Sequence, residues 1–108
     1  MTFYWRGQSL ALILLPPASP PPYALLELAD PSRKMIDAYL GDSWIYLLSR
    51  GEEILAVMVI YPLDEQKAEI KNIAITKAEQ GKGLGKILLA QAKQISREKG
   101  FQKLRIGT

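Results

Sequence analysis

Three glycines fall within five residues, Gly81, Gly83 and Gly85, where the longest amphipathic stretch of the chain begins. Over 84–99, Leu84, Ile87, Leu88, Ala92 and Ile95 recur on one helical stripe, while Lys86, Lys93 and Arg97 fall elsewhere. Gly100 then supplies a stop. A glycine inside a helix costs about 1 kcal/mol relative to alanine, so something must compensate. Glycines let a ligand approach the backbone closely, and the free N–H groups of a helix N-terminus attract anions. Lys82 and Lys86 add positive charge beside that concavity. The plainer reading is a flexible loop whose glycines only permit a tight turn.

Two familiar phosphate-binding spacings do not fit. In GxxxxGK[ST], Gly85-Lys86 would need glycine at 80, where Gln80 stands, and Ser or Thr at 87, where Ile87 stands. In GxGxxG, Gly81-x-Gly83 is followed by Gly85 and Lys86, one residue out of register.

Composition narrows the chemistry. The 108 residues allow one domain, and 48% hydrophobic with 23% charged residues is globular. With no cysteine and no histidine, disulfides, thiolate nucleophiles, the usual general base and the commonest metal ligand are all excluded; no metal is expected. Residues 1–76 carry six basic and nine acidic side chains, net −3, whereas 77–108 carry eight basic and two acidic, net +6. That asymmetry suggests an anionic partner: nucleic acid, acidic lipid or a phosphorylated cofactor. The apolar run Leu10–Leu15 is far shorter than the ~20 residues a membrane span requires. Pro16-Pro17 also cut it short for a signal peptide, so the protein reads as cytoplasmic.

Residues 1–8 are read as an N-terminal extension, 9–15 as a buried strand and 16–22 (PPASPPP) as an extended connector. Residues 23–29 and 31–40 form one broken or two short helices. Asp30 and Pro31 open the second, Met35, Ile36, Tyr39 and Leu40 line it, and Gly41 ends it. Segments 44–49 and 54–61 form a hairpin turning at Gly51. Strand 68–76 completes a meander, and the helix 84–99 crosses to a strand at 102–106. The last two strands are then parallel, giving a mixed α/β sheet of order β-αα-β-β-β-α-β.

The pattern Q/R-x-x-G-x-G/A does fit Gln80-Gly81-Lys82-Gly83-Leu84-Gly85. With the strand IKNIAI (70–75) before it and the amphipathic helix after it, the chain resembles the GNAT superfamily of acyl-CoA-dependent N-acetyltransferases over roughly 9–108. The resemblance implies a single GNAT-like domain with acetyl-CoA held by 68–108. It implies that the backbone from Gln80 through Gly81, Lys82, Gly83 and Leu84 to Gly85, with Lys86 beside it, wraps the pyrophosphate. Backbone groups of Ile73, Ala74 and Ile75 would pair with the pantetheine arm like an added strand. The strand would carry a bulge and splay from its parallel neighbour, admitting the thioester.

Amine acetylation requires a base, direct or through water. Glu69 leads the candidates, because Ala68-Glu69-Ile70 matches the AEI of a family subset that includes histone-type acetyltransferases; the plainer reading is an exposed strand-edge carboxylate. Glu79 is expected to be a solvated loop charge and Asn72 a solvent-facing polar residue. Tyr39, Tyr46, Tyr61 and Trp44 are expected to pack in the core. The family's fourth helix and terminal strand pair, with a tyrosine that protonates the leaving thiolate, have no counterpart here. Strand 102–106 is therefore expected to be an edge that favours a homodimer or strand exchange.

Three functions compete. One is transfer of acetyl from acetyl-CoA to an unidentified primary amine by direct attack. Another is a non-catalytic acyl-CoA or pyrophosphate-binding regulatory module, or an inactive fragment. The third, nucleic-acid binding, is disfavoured because only Phe101 among aromatics lies in 77–108.

Overall fold

Leu55 to Ile60 are six consecutive residues with no exposed surface, the signature of a strand covered on both faces. They form the heart of the strand Glu53–Pro62 in the computed structural model, which describes residues 1–107. Met58 and Ile60 face one core, Val57 and Val59 the other. Thr108, the end of the segment assigned to cofactor binding, lies outside the described residues.

The strands are β1 (Thr2–Trp5), β2 (Gln8–Leu14), β3 (Trp44–Arg50), β4 (Glu53–Pro62), β5 (Lys67–Ile75) and β6 (Lys103–Ile106). The helices are α1 (Tyr23–Ala29), α2 (Arg33–Leu40) and α3 (Leu84–Glu98), with a 3₁₀ turn at Lys77–Glu79. The described residues form one sheet in sequence order, antiparallel from β1 to β5 and parallel between β5 and β6. The mixed α/β reading holds, and β6 is an outer strand. Leu84, Leu88, Ala92 and Ile95 of α3 cover one sheet face; Leu25, Leu26, Ile36, Tyr39 and Leu40 of α1 and α2 cover the other. Among the described residues no helix is long and apolar enough to cross a membrane.

Several expectations change. Residues 2–5, assigned to an extension, form β1, joined to β2 by a two-residue turn in which Arg6 (φ 50°) and Gly7 (φ 75°) are both left-handed. The cap of α2 is Ser32, whose Oγ accepts from the Met35 N–H at 3.2 Å; Asp30 instead accepts from the Ser32 N–H at 3.1 Å. Gly41 keeps helical backbone, and the end of α2 is closed by Ser43, whose Oγ donates to Tyr39 O at 2.6 Å. Gly100 does act as expected. With φ 91° it donates to Arg97 O, and Phe101 N–H reaches Ser96 O, closing the last turn of α3.

Candidate active site

The turn between β5 and α3 leaves its backbone donors open. No group among the described residues accepts from the N–H groups of Gly81, Lys82, Gly83, Leu84, Gly85 or Lys86 with good geometry, and α3 has no side-chain cap. Gly81 (φ 78°) and Gly83 (φ 96°) turn these donors into a concavity that an L-residue cannot readily form. Gly85 has ordinary helical backbone. A Cβ there would sit 3.7 Å from Ile75 Cδ1, an ordinary contact, so packing does not demand the glycine. Its missing side chain instead clears space over the helix start. Gln80 is the exception in the segment. Its N–H is engaged with Lys77 O at 3.4 Å, and its side chain donates to Ile75 O at 2.9 Å, tying the turn to β5.

β5 leads away from this cradle with one edge bare. It pairs with β6 only from Lys67 to Ile70, and Gly107 N–H closes the contact on Ile70 O at 2.9 Å. From Lys71 to Ile75 that edge has no strand partner among the described residues. On the other side, Thr76 N–H donates to Leu55 O at 2.9 Å. The antiparallel register then commits the backbone of Ala74 and Asn72 to Val57 and Val59, and turns that of Ile73 and Ile75 outward. The register shifts between Val59 and Ile60, so Lys71 bulges.

Where β5 and β6 part, two adjoining clefts of about 430 and 480 Å³ open against the α1–α2 connection. Glu69 and Tyr39 line the first, Asn72 and Ile73 the second, and Met35, Lys71 and Gly107 both. Glu69 is 3% exposed, not the edge carboxylate of the plainer reading. It is paired with Lys71 Nζ and accepts from Arg105 Nε. Burial pushes its carboxyl up, but the two cations outweigh that and hold it below the ordinary carboxylate range.

Asn72 is also buried, contrary to expectation. Its Nδ2 donates to Leu26 O and Tyr39 Oη, both at 3.1 Å, while its Oδ1 has no partner among the described residues. Leu26 O already accepts from Asp30 N–H, so the distinctive bond is the one that orients Tyr39. Tyr39 is therefore both a core aromatic and a cleft residue, with its phenol raised by burial. Tyr46, Tyr61 and Trp44 are half-buried at the margins of the two cores.

Glu79, expected to be solvated, is 6% exposed and bound by Arg50 and Lys82. Burial raises its carboxyl and the two cations lower it further, to a net depression. Sequence reasoning missed Arg50 and Arg105, whose buried partners lie far along the chain, and also Lys71, although its partner Glu69 is only two residues away on the same strand. No group of three or more potential metal-ligating side chains occurs among the described residues.

Both buried glutamates ionise more readily folded than unfolded. Their stabilisation is fully present above the unfolded-state value of about 4.3 and is lost as pH falls through the lower folded values. Melting temperature is expected to be flat from about pH 7 to 5 and to drop below about pH 4. A flat curve down to about pH 3 would remove both pairings.

The comparisons agree with this geometry. The model of the acetyltransferase (GNAT) family matches residues 10–108. The uncharacterized N-acetyltransferase YvbK of Bacillus subtilis (strain 168) is 38% identical over 86 residues, 80% of this chain and 56% of that protein. A GNAT family acetyltransferase from Elizabethkingia anophelis, solved with acetyl-CoA bound, superposes with TM-score 0.87 at 39% identity. A Bacillus subtilis acetyltransferase in complex with CoA gives TM-score 0.84 at 35% identity. Each of these two likenesses covers 92% of this chain and 65% of the solved chain, so the sequence spans less than two thirds of these relatives' lengths. An unsatisfied amide cradle, a bare strand edge and a matching family pattern from Leu10 onward lead to one conclusion: the chain belongs to the GNAT family of acetyltransferases.

Proposed function

We propose that the chain binds acetyl-CoA and transfers its acetyl group to a primary amine by direct attack. The observation that carries this reading is continuity: open helix-start donors, a bare edge of β5, and a carboxylate-lined cleft follow one another along the fold. The cradle of Gly81, Lys82, Gly83, Leu84 and Gly85, with Lys86 on the first turn of α3, suits a diphosphate. Gln80 holds the cradle to β5 through its side chain and contributes no free N–H. Ile73 and Ile75 offer outward backbone groups to an amide-bearing arm, in the manner of an added strand. Ala74, whose backbone is committed to Val57, supplies spacing between them.

Bound acetyl-CoA supplies an acetyl thioester, an acyl group activated toward amines. The chain's own groups do the rest. Glu69 places a negative charge in the cleft, suited to orienting a neutral amine and taking through a water the proton it sheds on attack. Tyr39 lines the same cleft with its oxygen fixed by Asn72. The nitrogen then attacks the acetyl carbonyl; the C–N bond forms as the amine proton passes through the water to Glu69, the C–S bond breaks, and CoA leaves as its thiolate.

The double pairing of Glu69 favours a second reading, an acyl-CoA-binding module without catalysis, because a carboxylate held low is a weak base. Calorimetric titration with CoA, followed by thiol release from acetyl-CoA over a panel of amines, separates the two. Micromolar-range binding with release on some amine is expected. Binding without release favours the module, and absence of CoA binding overturns both readings.

A further inference from the structure

The fold buries a carboxylate at the mouth of the cradle, where an anionic ligand should not want one. Glu79 Oε1 accepts from Arg50 Nη2 at 3.2 Å, and its Oε2 accepts from Lys82 Nζ at 3.3 Å. Arg50 is anchored elsewhere as well, donating from Nη1 to Gln8 Oε1 at 2.9 Å and from Nη2 to Glu53 Oε1 at 2.7 Å. Its guanidinium is thus fixed to β2 and β4. Lys82 differs in every respect. It lies between the two left-handed glycines, its side chain is 43% exposed, and Glu79 is its one ion-pair partner among the described residues.

A cation anchored to two other strands and an exposed one share a single buried carboxylate. On the acetyl-CoA reading above, we propose that Arg50 is a positioning residue for the diphosphate: it keeps Glu79 charge-balanced, so that Lys82 leaves that carboxylate for an incoming phosphate oxygen. Glu79 begins with two cationic partners and ends with one, and no buried charge is left alone. Without Arg50, the departure of Lys82 would strand a buried carboxylate, which is strongly unfavourable. Lys82 then stays on Glu79, and the cradle meets the diphosphate with one cation fewer.

The test is a CoA titration by calorimetry on a set of variants, with melting temperatures measured alongside. Arg50→Met is expected to weaken CoA binding by about tenfold. Glu79→Gln removes the competing anion and is expected to bind CoA as tightly as the unaltered chain, or more tightly. The double variant Arg50→Met/Glu79→Gln is expected to return to within about threefold of the unaltered chain. Arg50→Lys, which retains the charge, should keep most of the affinity. Arg50→Gln is expected to weaken binding as Arg50→Met does, and serves if the methionine form does not fold.

Rescue by the second substitution is what a merely structural Arg50 would not show. Normal CoA affinity in Arg50→Met, no recovery in the double variant, or an equal loss in Glu79→Gln would each overturn the proposal. Those results leave the acetyl-CoA reading standing, whereas failure of the unaltered chain to bind CoA removes both.

Discussion

Replacing Gly83 with valine is expected to weaken CoA binding by about 10²- to 10³-fold while leaving the domain folded. The nitrogen of this residue lies in the cradle, and its φ of 96° is denied to a β-branched side chain. Sterics with the rest of the fold are not the issue, since a Cβ at this position meets nothing within 4 Å. The penalty is carried by the backbone itself, about 1–3 kcal/mol for a non-glycine residue held in the left-handed region. Immediately downstream, Leu84 and Leu88 are locked into the core, so α3 cannot move to relieve it. Upstream, the turn has few bonds of its own, and it will absorb the change by swinging the free N–H groups out of their common concavity. Each lost bond to a charged phosphate removes roughly 1.5–3 kcal/mol, so two suffice for the stated effect. The melting temperature should fall by only about 5–10 °C. Gly83→Asn, a residue that tolerates positive φ better, should lose less. Calorimetry with CoA on both variants checks this, and unchanged affinity in the valine form would show that the cradle is not where the diphosphate lies.

That the turn could be found at all reflects where its information resides. Gly81, Gly83, the stripe of α3 and the stop at Gly100 are local features: the two glycines turn the chain at positive φ, the stripe covers the sheet, and Gly100 closes the helix. Segment 54–61, expected as one arm of a hairpin, is likewise a strand, and the structure shows it covered on both faces. The misread residues are those whose partners lie far off in the chain. Glu69 meets Arg105 thirty-six residues away, Glu79 meets Arg50 at a separation of twenty-nine, and Asn72 reaches Leu26 across forty-six. No periodicity reports which side chain stands opposite a carboxylate across a sheet.

Asn72 shows the point most clearly. Strict alternation along β5 would put it on the face of Ile70, toward α3. The bulge at Lys71 shifts the register by one, so Asn72 joins Glu69 on the α1–α2 side and meets Tyr39. β1 was missed for a different reason. Its turn places an arginine, Arg6, at positive φ, where asparagine or glycine would have signalled a hairpin.

Glu69→Gln is expected to lower acetyl transfer by about 10²- to 10³-fold with CoA affinity changed by less than about twofold. The substitution keeps the volume of a buried side chain and removes only its charge. Lys71 and Arg105 lose their partner, but their side chains are 29% and 67% exposed, so water can solvate what the carboxylate gave up. The proposed phosphate cradle lies at the other end of β5 and shares none of these contacts.

The pH profile distinguishes the ways in which Glu69 could matter. Because burial raises its carboxyl while Lys71 and Arg105 lower it to a net value below the ordinary range, Glu69 is already ionised at neutral pH. The fall in kcat/KM on the acid side must then follow protonation of the acceptor amine. Two acceptors of different basicity should shift that limb by the difference in their own pKa values. In Glu69→Gln the limb should stay in place beneath a lower plateau. A limb that ignores the acceptor and vanishes in the variant would mean that Glu69 titrates as a conventional base, with its two cations released when substrate binds. Turnover unaffected by the substitution would leave Glu69 as a purely structural ion pair tying β5 to β6.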